Sequence, residues 1–219
     1  MAQGVPSRNP FCYNSPIRDE EVMQLRPHQQ DATDAMLAYE KGQVIIPTGG
    51  GKTMCMIKDS LDYLNACDAG VIVVVAPRIL LAEQLSAEFL EFHTDVAVMH
   101  VHSGETHHFS STKPAIIHNW SLQAYRKQLI FTTYHSLPRL QEADINVDCI
   151  YFDEAHNSVQ RNFFPATEHF AAVANRCYFF TATPKHSLTI SKPGMNDTAV
   201  YGQVICNVPA PKLVEQGYI

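Results

Sequence analysis

The chain has 219 residues, a formal net charge of −6, 46% apolar residues and 17% charged ones. That content suits one large domain or two small ones with a buried core and excludes bulk disorder. The acidic balance excludes a wholly basic nucleic-acid coat protein but leaves room for a local basic groove. The longest apolar runs, such as residues 71–76, are strand-length and fall short of the roughly 20 residues that span a bilayer. The first residues, Met-Ala-Gln-Gly-Val-Pro-Ser-Arg-Asn-Pro, lack an apolar leader core. The expectation is a soluble intracellular protein, cytoplasmic or nuclear, with no membrane partner.

In chain order, residues 1–24 carry three prolines and no periodicity, so an irregular arm is expected. Pro27 suits a first helical turn, Ala32, Ala35, Met36 and Tyr39 follow at helical spacing, and Gly42 suits a C-terminal stop. A short strand through Val44, Ile45 and Ile46 comes next, then a helix from Lys52 to about Asn65 and a turn at residues 67–70. The β-branched run over 71–76 predicts a strand buried on both faces of a parallel sheet. Leu80, Leu81, Leu85, Phe89 and Phe92 predict a helix over 79–92. A strand is expected over 95–101, a polar loop over 103–113 and a helix over 114–127. Further strands are expected at 129–133, 147–152, 176–180 and 200–208. Helices are expected from Tyr134 and over 163–175. Alternation throughout predicts one α/β domain, a mostly parallel sheet with helices on both faces.

Six cysteines without a Cys-x-x-Cys pair predict free thiols in a reducing compartment. Among eleven histidines, His100, His102, His107 and His108 lie close together. A metal role is one reading, but no cysteine partners are near, and solvent-facing side chains are the expectation.

The stretch Pro47-Thr48-Gly49-Gly50-Gly51-Lys52-Thr53 carries the clearest chemistry. It joins an apolar strand to an apolar helix start. Glycines bring bare N–H groups against a polyanion, and the helix N-terminus adds partial positive charge. Lys52 would meet the β- and γ-phosphates of ATP, and the Thr53 hydroxyl would bind Mg²⁺. The usual phosphate-loop pattern has a further glycine where Ile46 stands, so a chance glycine-rich turn is the alternative. Asp153-Glu154 closes another apolar strand. Two acids there are costly unless a cation sits beside them, and Mg²⁺ is the simplest one. Asp153 would hold the metal, and Glu154 would orient and deprotonate the attacking water. An acidic helix cap is the alternative.

Taken together, Gln29, the Pro47-to-Thr53 loop, Ala76-Pro77-Arg78, Thr132-Thr133-Tyr134-His135-Ser136-Leu137, Asp153-Glu154-Ala155-His156 and Thr181-Ala182-Thr183-Pro184 resemble, in order, the first motor domain of superfamily 2 helicases. The resemblance is to the branch with type III restriction translocase subunits and XPB-like or UvsW-like helicases. It covers about residues 25–219, and a Pro-Thr start to the phosphate loop is common in that superfamily. The resemblance implies a RecA-like P-loop ATP-binding domain. Gln29 would read the adenine edge, and Pro47, Thr48, Gly49, Gly50, Gly51, Lys52 and Thr53 would hold ATP. Lys52, Asp153, Glu154 and His156 would be catalytic, with Thr53 and Asp153 at the metal. His156 would link the nucleotide to Thr181 and Thr183, coupling hydrolysis to movement. Pro77, Arg78, Thr132 and Thr133 would touch nucleic acid, DNA in preference to RNA, through backbone N–H groups, hydroxyls and the guanidinium. A surface glutamine at 29, a solvated cap at Arg78, a core or capping histidine at 156 and plain turn formers at 181 and 183 are the alternatives.

The implied domain map is an arm at 1–24, the ATP-binding domain at 25–208, and at 209–219 the start of a linker to a second RecA-like domain supplied in cis or in trans. The implied function is that of an ATP-dependent helicase or translocase. A restriction-type duplex DNA translocase subunit is the nearest alternative, and a non-catalytic binding module is a further one. A small-molecule kinase would leave the motifs at 153–156 and 181–184 without a role.

Overall fold

The computed structural model describes residues 23–123 and 126–219, so most of the expected arm lies outside the described residues. The described chain forms a seven-stranded sheet in which every pairing is parallel. The strands are β1 (Lys41–Ile45), β2 (Gly70–Ala76), β3 (Ala97–Val101), β4 (Lys127–Thr133), β5 (Cys149–Phe152), β6 (Arg176–Thr181) and β7 (Val204–Asn207). Their order across the sheet is β3-β4-β2-β5-β6-β1-β7. The helices are α1 (Pro27–Ala38), α2 (Lys52–Cys67), α3 (Ile79–Phe92), α4 (Pro114–Ser121), α5 (Leu137–Ala143), α6 (Phe164–Val173), α7 (Thr198–Tyr201) and α8 (Ala210–Glu215).

Successive strand side chains point to opposite faces, and the two cores follow from that alternation. Ile72 and Val74 of β2 pack with Met36 of α1, Met56 of α2 and Phe89 of α3. Val73 and Val75 pack on the other face with Ile117 of α4, Leu140 of α5 and Phe170 of α6. Each fully buried Val or Ile contributes about 1.5–3 kcal/mol, so the continuous apolar run of β2 becomes the centre of the molecule. All strands run the same way, so the loops leaving their C-terminal ends gather at one edge, where ligands bind in open parallel sheets.

Several elements differ from the sequence expectations. Gly42 does not stop α1. It is the second residue of β1, and an added Cβ would lie 2.5 Å from Ile205 on β7. α1 ends at Tyr39 in extended backbone instead. α4 ends at Ser121, because Lys127 already pairs with Gly70. The expected strand over 200–208 is split, with Val200 and Tyr201 in α7 and β7 starting at Val204. Among the described residues, Cys55, Cys67, Cys149, Cys177 and Cys206 are free thiols.

Candidate active site

The loop between β1 and α2 turns on two glycines in the left-handed region, Gly49 at φ +82° and Gly51 at φ +80°. Gly50 N–H donates to the Pro47 carbonyl at 3.0 Å, closing the turn. Gly51 caps α2 without a side-chain bond, so the first N–H groups of the helix lack helical partners. A Cβ on Gly51 would sit 2.2 Å from Gln29 Nε2.

α1 braces this loop from behind. The Gln29 amide donates to the Gly51 carbonyl at 3.2 Å, its Oε1 accepts from Arg26 N–H at 2.8 Å, and His28 Nε2 lies 2.7 Å from the Gly50 carbonyl. Gln29 is buried, so both ends of its amide are engaged with the chain. The C-terminal segment covers the same region. Arg26 stacks over the Tyr218 ring at 4.7 Å, and a Cβ on Gly49 would lie 3.2 Å from Ile219. His28 Nδ1 and Arg26 Nη1 are buried there without hydrogen-bond partners. The bracing by His28 is absent from the sequence reading. Its one signal is its place in the first turn after Pro27.

Across the edge, β5 ends at Phe152 and delivers Asp153 and Glu154. Tyr134 OH donates to the Asp153 carbonyl at 2.8 Å, and Glu154 adopts φ +46°. From the buried Lys52 a continuous chain of polar contacts runs away from the loop. Lys52 Nζ is 3.3 Å from Glu154 Oε1. Glu154 Oε2 is 3.4 Å from His156 Nδ1, which shares a 2.9 Å hydrogen bond with Thr181 Oγ1. Thr181 Oγ1 also accepts from Thr183 N–H at 3.1 Å. Five expected site residues from three segments are thus in direct succession.

Burial and the neighbouring Glu154 raise the Asp153 pKa to about 6, against the pull of Lys52. Burial lowers that of His156, against the pull of Glu154. A desolvated carboxylate beside a second one is what a divalent cation relieves. An uncapped helix start behind two left-handed glycines is what a phosphate chain occupies. The residues therefore fit a nucleotide and a divalent cation.

The remaining expected residues divide. Pro77 is half-buried and Arg78 exposed, at the extended start of α3. Thr132 is fully buried with its hydroxyl donating to the Val101 carbonyl at 2.8 Å, and the Thr133 hydroxyl accepts from Ser136 N–H at 3.3 Å. Neither hydroxyl is presented to solvent, which corrects the expectation that they contact nucleic acid. They shape the end of β4 instead. The histidine cluster is corrected too. His100 and His102 are buried and lie together with Glu83, because the period of β3 turns both toward α3.

The fold and the site have counterparts among known proteins. The chain resembles the structure of a nuclease-deletion mutant of the Type ISP restriction-modification enzyme LlaGI in complex with a DNA substrate mimic. TM-score is 0.75 and identity 24%, over 89% of this chain and 21% of that one. It also resembles the Pyrococcus furiosus Hef helicase domain, with TM-score 0.62 and 19% identity over 84% of this chain and 38% of that one. A third likeness is the Sulfolobus solfataricus SWI2/SNF2 ATPase core in complex with dsDNA, with TM-score 0.57 and 20% identity over 74% of this chain and 32% of that one. The chain spans about a fifth of the length of the LlaGI protein. These likenesses show the fold, that of a RecA-like helicase domain. The sequence profile described as type III restriction enzyme, res subunit, matches residues 22–186, which include the phosphate loop, the acidic pair and both threonines of the contact chain. The chain therefore belongs to the family of type III restriction enzyme res subunits.

Proposed function

We propose that this chain is the ATP-binding motor domain of a DNA helicase or translocase. The observation that carries the reading is the unbroken succession Lys52, Glu154, His156, Thr181, Thr183. It joins the glycine-rich loop to the residues beyond β6 through the side chains of Lys52, Glu154, His156 and Thr181 and the backbone N–H of Thr183. ATP phosphates draw Lys52 away from Glu154. Glu154, released from that pair, orients the attacking water and accepts its proton. Mg²⁺, when bound, neutralises charge on the β- and γ-phosphates, and Thr53 and Asp153 are the groups that would hold it. His156 then follows Glu154, and its bond to Thr181 carries the change toward β6. Gln29 fixes the loop through the Gly51 carbonyl, and reading an adenine edge would require its amide to exchange that bond for one to the base.

Pro77 and Arg78 supply the nucleic-acid contact from the same edge, through backbone and guanidinium to phosphate, without base reading. Duplex DNA is the favoured track. The family match and the DNA-bound state of two structural likenesses support it. A second RecA-like domain, in cis or in trans, would add arginines that stabilise transition-state charge. The domain map of 1–24, 25–208 and 209–219 belongs to this proposal.

The test is ATP hydrolysis by the full-length protein, alone and with duplex DNA, single-stranded DNA or RNA. Stimulation by DNA that Glu154→Gln abolishes is the expected result. Hydrolysis indifferent to every nucleic acid, or undiminished in Glu154→Gln, would refute the assignment.

A further inference from the structure

Glu83, His100 and His102 form a second polar centre remote from the phosphate loop. β3 is one edge of the sheet, and β4, β2, β5 and β6 separate it from β1. Glu83 lies in the second turn of α3, while His100 is the penultimate residue of β3 and His102 follows its end. Glu83 Oε1 is 2.9 Å from His100 Nδ1 and 3.2 Å from His102 Nε2, and the two nitrogens are 3.1 Å apart. Both imidazoles are buried and Glu83 is 28% exposed.

Three mutually close polar atoms cannot alternate donor and acceptor around the ring. If both imidazoles donate to Glu83, two N–H groups face each other. If either nitrogen is bare, its lone pair faces the carboxylate. A cation at the centre satisfies all three donors at once. Tetrahedral zinc with bonds of about 2.0–2.1 Å places its donors about 3.3–3.4 Å apart, a few tenths of an ångström wider than the distances here. Two imidazoles and one carboxylate select zinc, cobalt or nickel over magnesium.

The surroundings bear on the imidazole protons. His100 Nε2 is 2.9 Å from the buried Ser86 hydroxyl. With Nδ1 on a metal, Nε2–H donates to Ser86, the outer bond that fixes a ligating histidine. His102 Nδ1 accepts from Gly104 N–H at 3.2 Å. Metal on Nε2 moves that ring's proton to Nδ1, so Gly104 gives up this bond. A Cβ on Gly104 would lie 2.6 Å from Ile79, the residue after Arg78.

We propose that Glu83, His100 and His102 bind one zinc-class divalent cation that fastens α3 to the end of β3. Three protein donors leave a fourth position for water or another ligand. The site is separate from the magnesium and nucleotide site.

The test is a Co²⁺ titration of chelator-treated full-length protein, read by visible d–d absorption and by displacement with Zn²⁺. Wild type and His107→Ala are expected to take up Co²⁺ alike, with the absorption of low-coordinate cobalt. Ser86→Ala is expected to bind about 10–100-fold more weakly, and Glu83→Ala and His102→Gln more weakly still. Glu83 lies on a helix surface and tolerates alanine, so Glu83→Ala decides the matter if His102→Gln does not fold. Zn²⁺ affinity unchanged in Glu83→Ala, or no Co²⁺ absorption in wild type, would overturn the proposal. Mg-ATP binding serves as the folding control and is expected to be equal in wild type and Glu83→Ala.

Discussion

Asp153 is held in an unfavourable state. Its half-buried carboxyl lies beside Glu154 and its pKa is raised to about 6. A raised carboxyl pKa contributes stability that is present below the unfolded value, near 3.9, and lost as pH rises through about 6. Asp153→Asn removes that cost, so above pH 7 the nucleotide-free variant is expected to melt higher than wild type. Each kcal/mol shifts Tm by roughly 2–4 °C in a domain of this size. The same substitution is expected to abolish the gain in ATP affinity that Mg²⁺ confers. In wild type that gain is expected to shrink as pH falls through about 6, because protons and Mg²⁺ compete for one carboxylate. Calorimetric titration at pH 5, 6, 7 and 8 measures it, and a gain independent of pH would exclude Asp153 as the metal's ligand.

Gly51 is set by a different constraint. Its φ of +80° and its contact with Gln29 leave no room for a side chain. Gly51→Ala is expected to cost about 1–2 kcal/mol in backbone strain and to displace the Gln29 amide. Thermal melting and nucleotide titration report the two effects separately.

At the scale of elements, β5, β6 and α2 are tied together by a buried ion pair. Arg176 Nη2 is 2.6 Å from Asp59 Oδ1, and Tyr151 OH donates to Asp59 Oδ2. Burial raises the Asp59 pKa, and Arg176 offsets part of that rise. Arg176→Leu leaves the carboxylate buried and unpaired, with an expected loss of about 3–5 kcal/mol in urea unfolding. This pair supports β6, whose end carries Thr181, so the same variant is expected to loosen the contact chain.

Elements whose composition matches their burial were legible in the sequence. The β-branched run over 71–76 has no reading other than a doubly buried strand, and the leucine spacing over 79–92 matches α3 end to end. Gly42 misled because β1 and β7 approach so closely at Ile205 that the strand needs the small residue a helix stop also favours. The glycine-rich turn before α2 and the end of β5 at the acidic pair were legible because their signals are local. The burial of Thr132 and the convergence of Glu83 with His100 and His102 were not. Both depend on β3 lying beside β4 and under α3, a register that spacing along the chain does not encode.

At the scale of the molecule, the parallel sheet gathers phosphate loop, acids, threonines and Arg78 at one edge. The contact proposed at Pro77 and Arg78, on a chain of net charge −6, is expected to bind DNA weakly and with marked salt dependence. Among the described residues no helix is long and apolar enough to cross a membrane.

Binding of Mg-ATP to wild type and to Lys52→Ala tests the account most directly, because every step begins with phosphate taking Lys52 from Glu154. Titration at pH 8 in excess Mg²⁺ is expected to show saturable binding to wild type and at least about tenfold weaker binding to Lys52→Ala, one charge-assisted bond being worth about 1.5–3 kcal/mol. Equal affinity in the two proteins, or no binding to either, would contradict it.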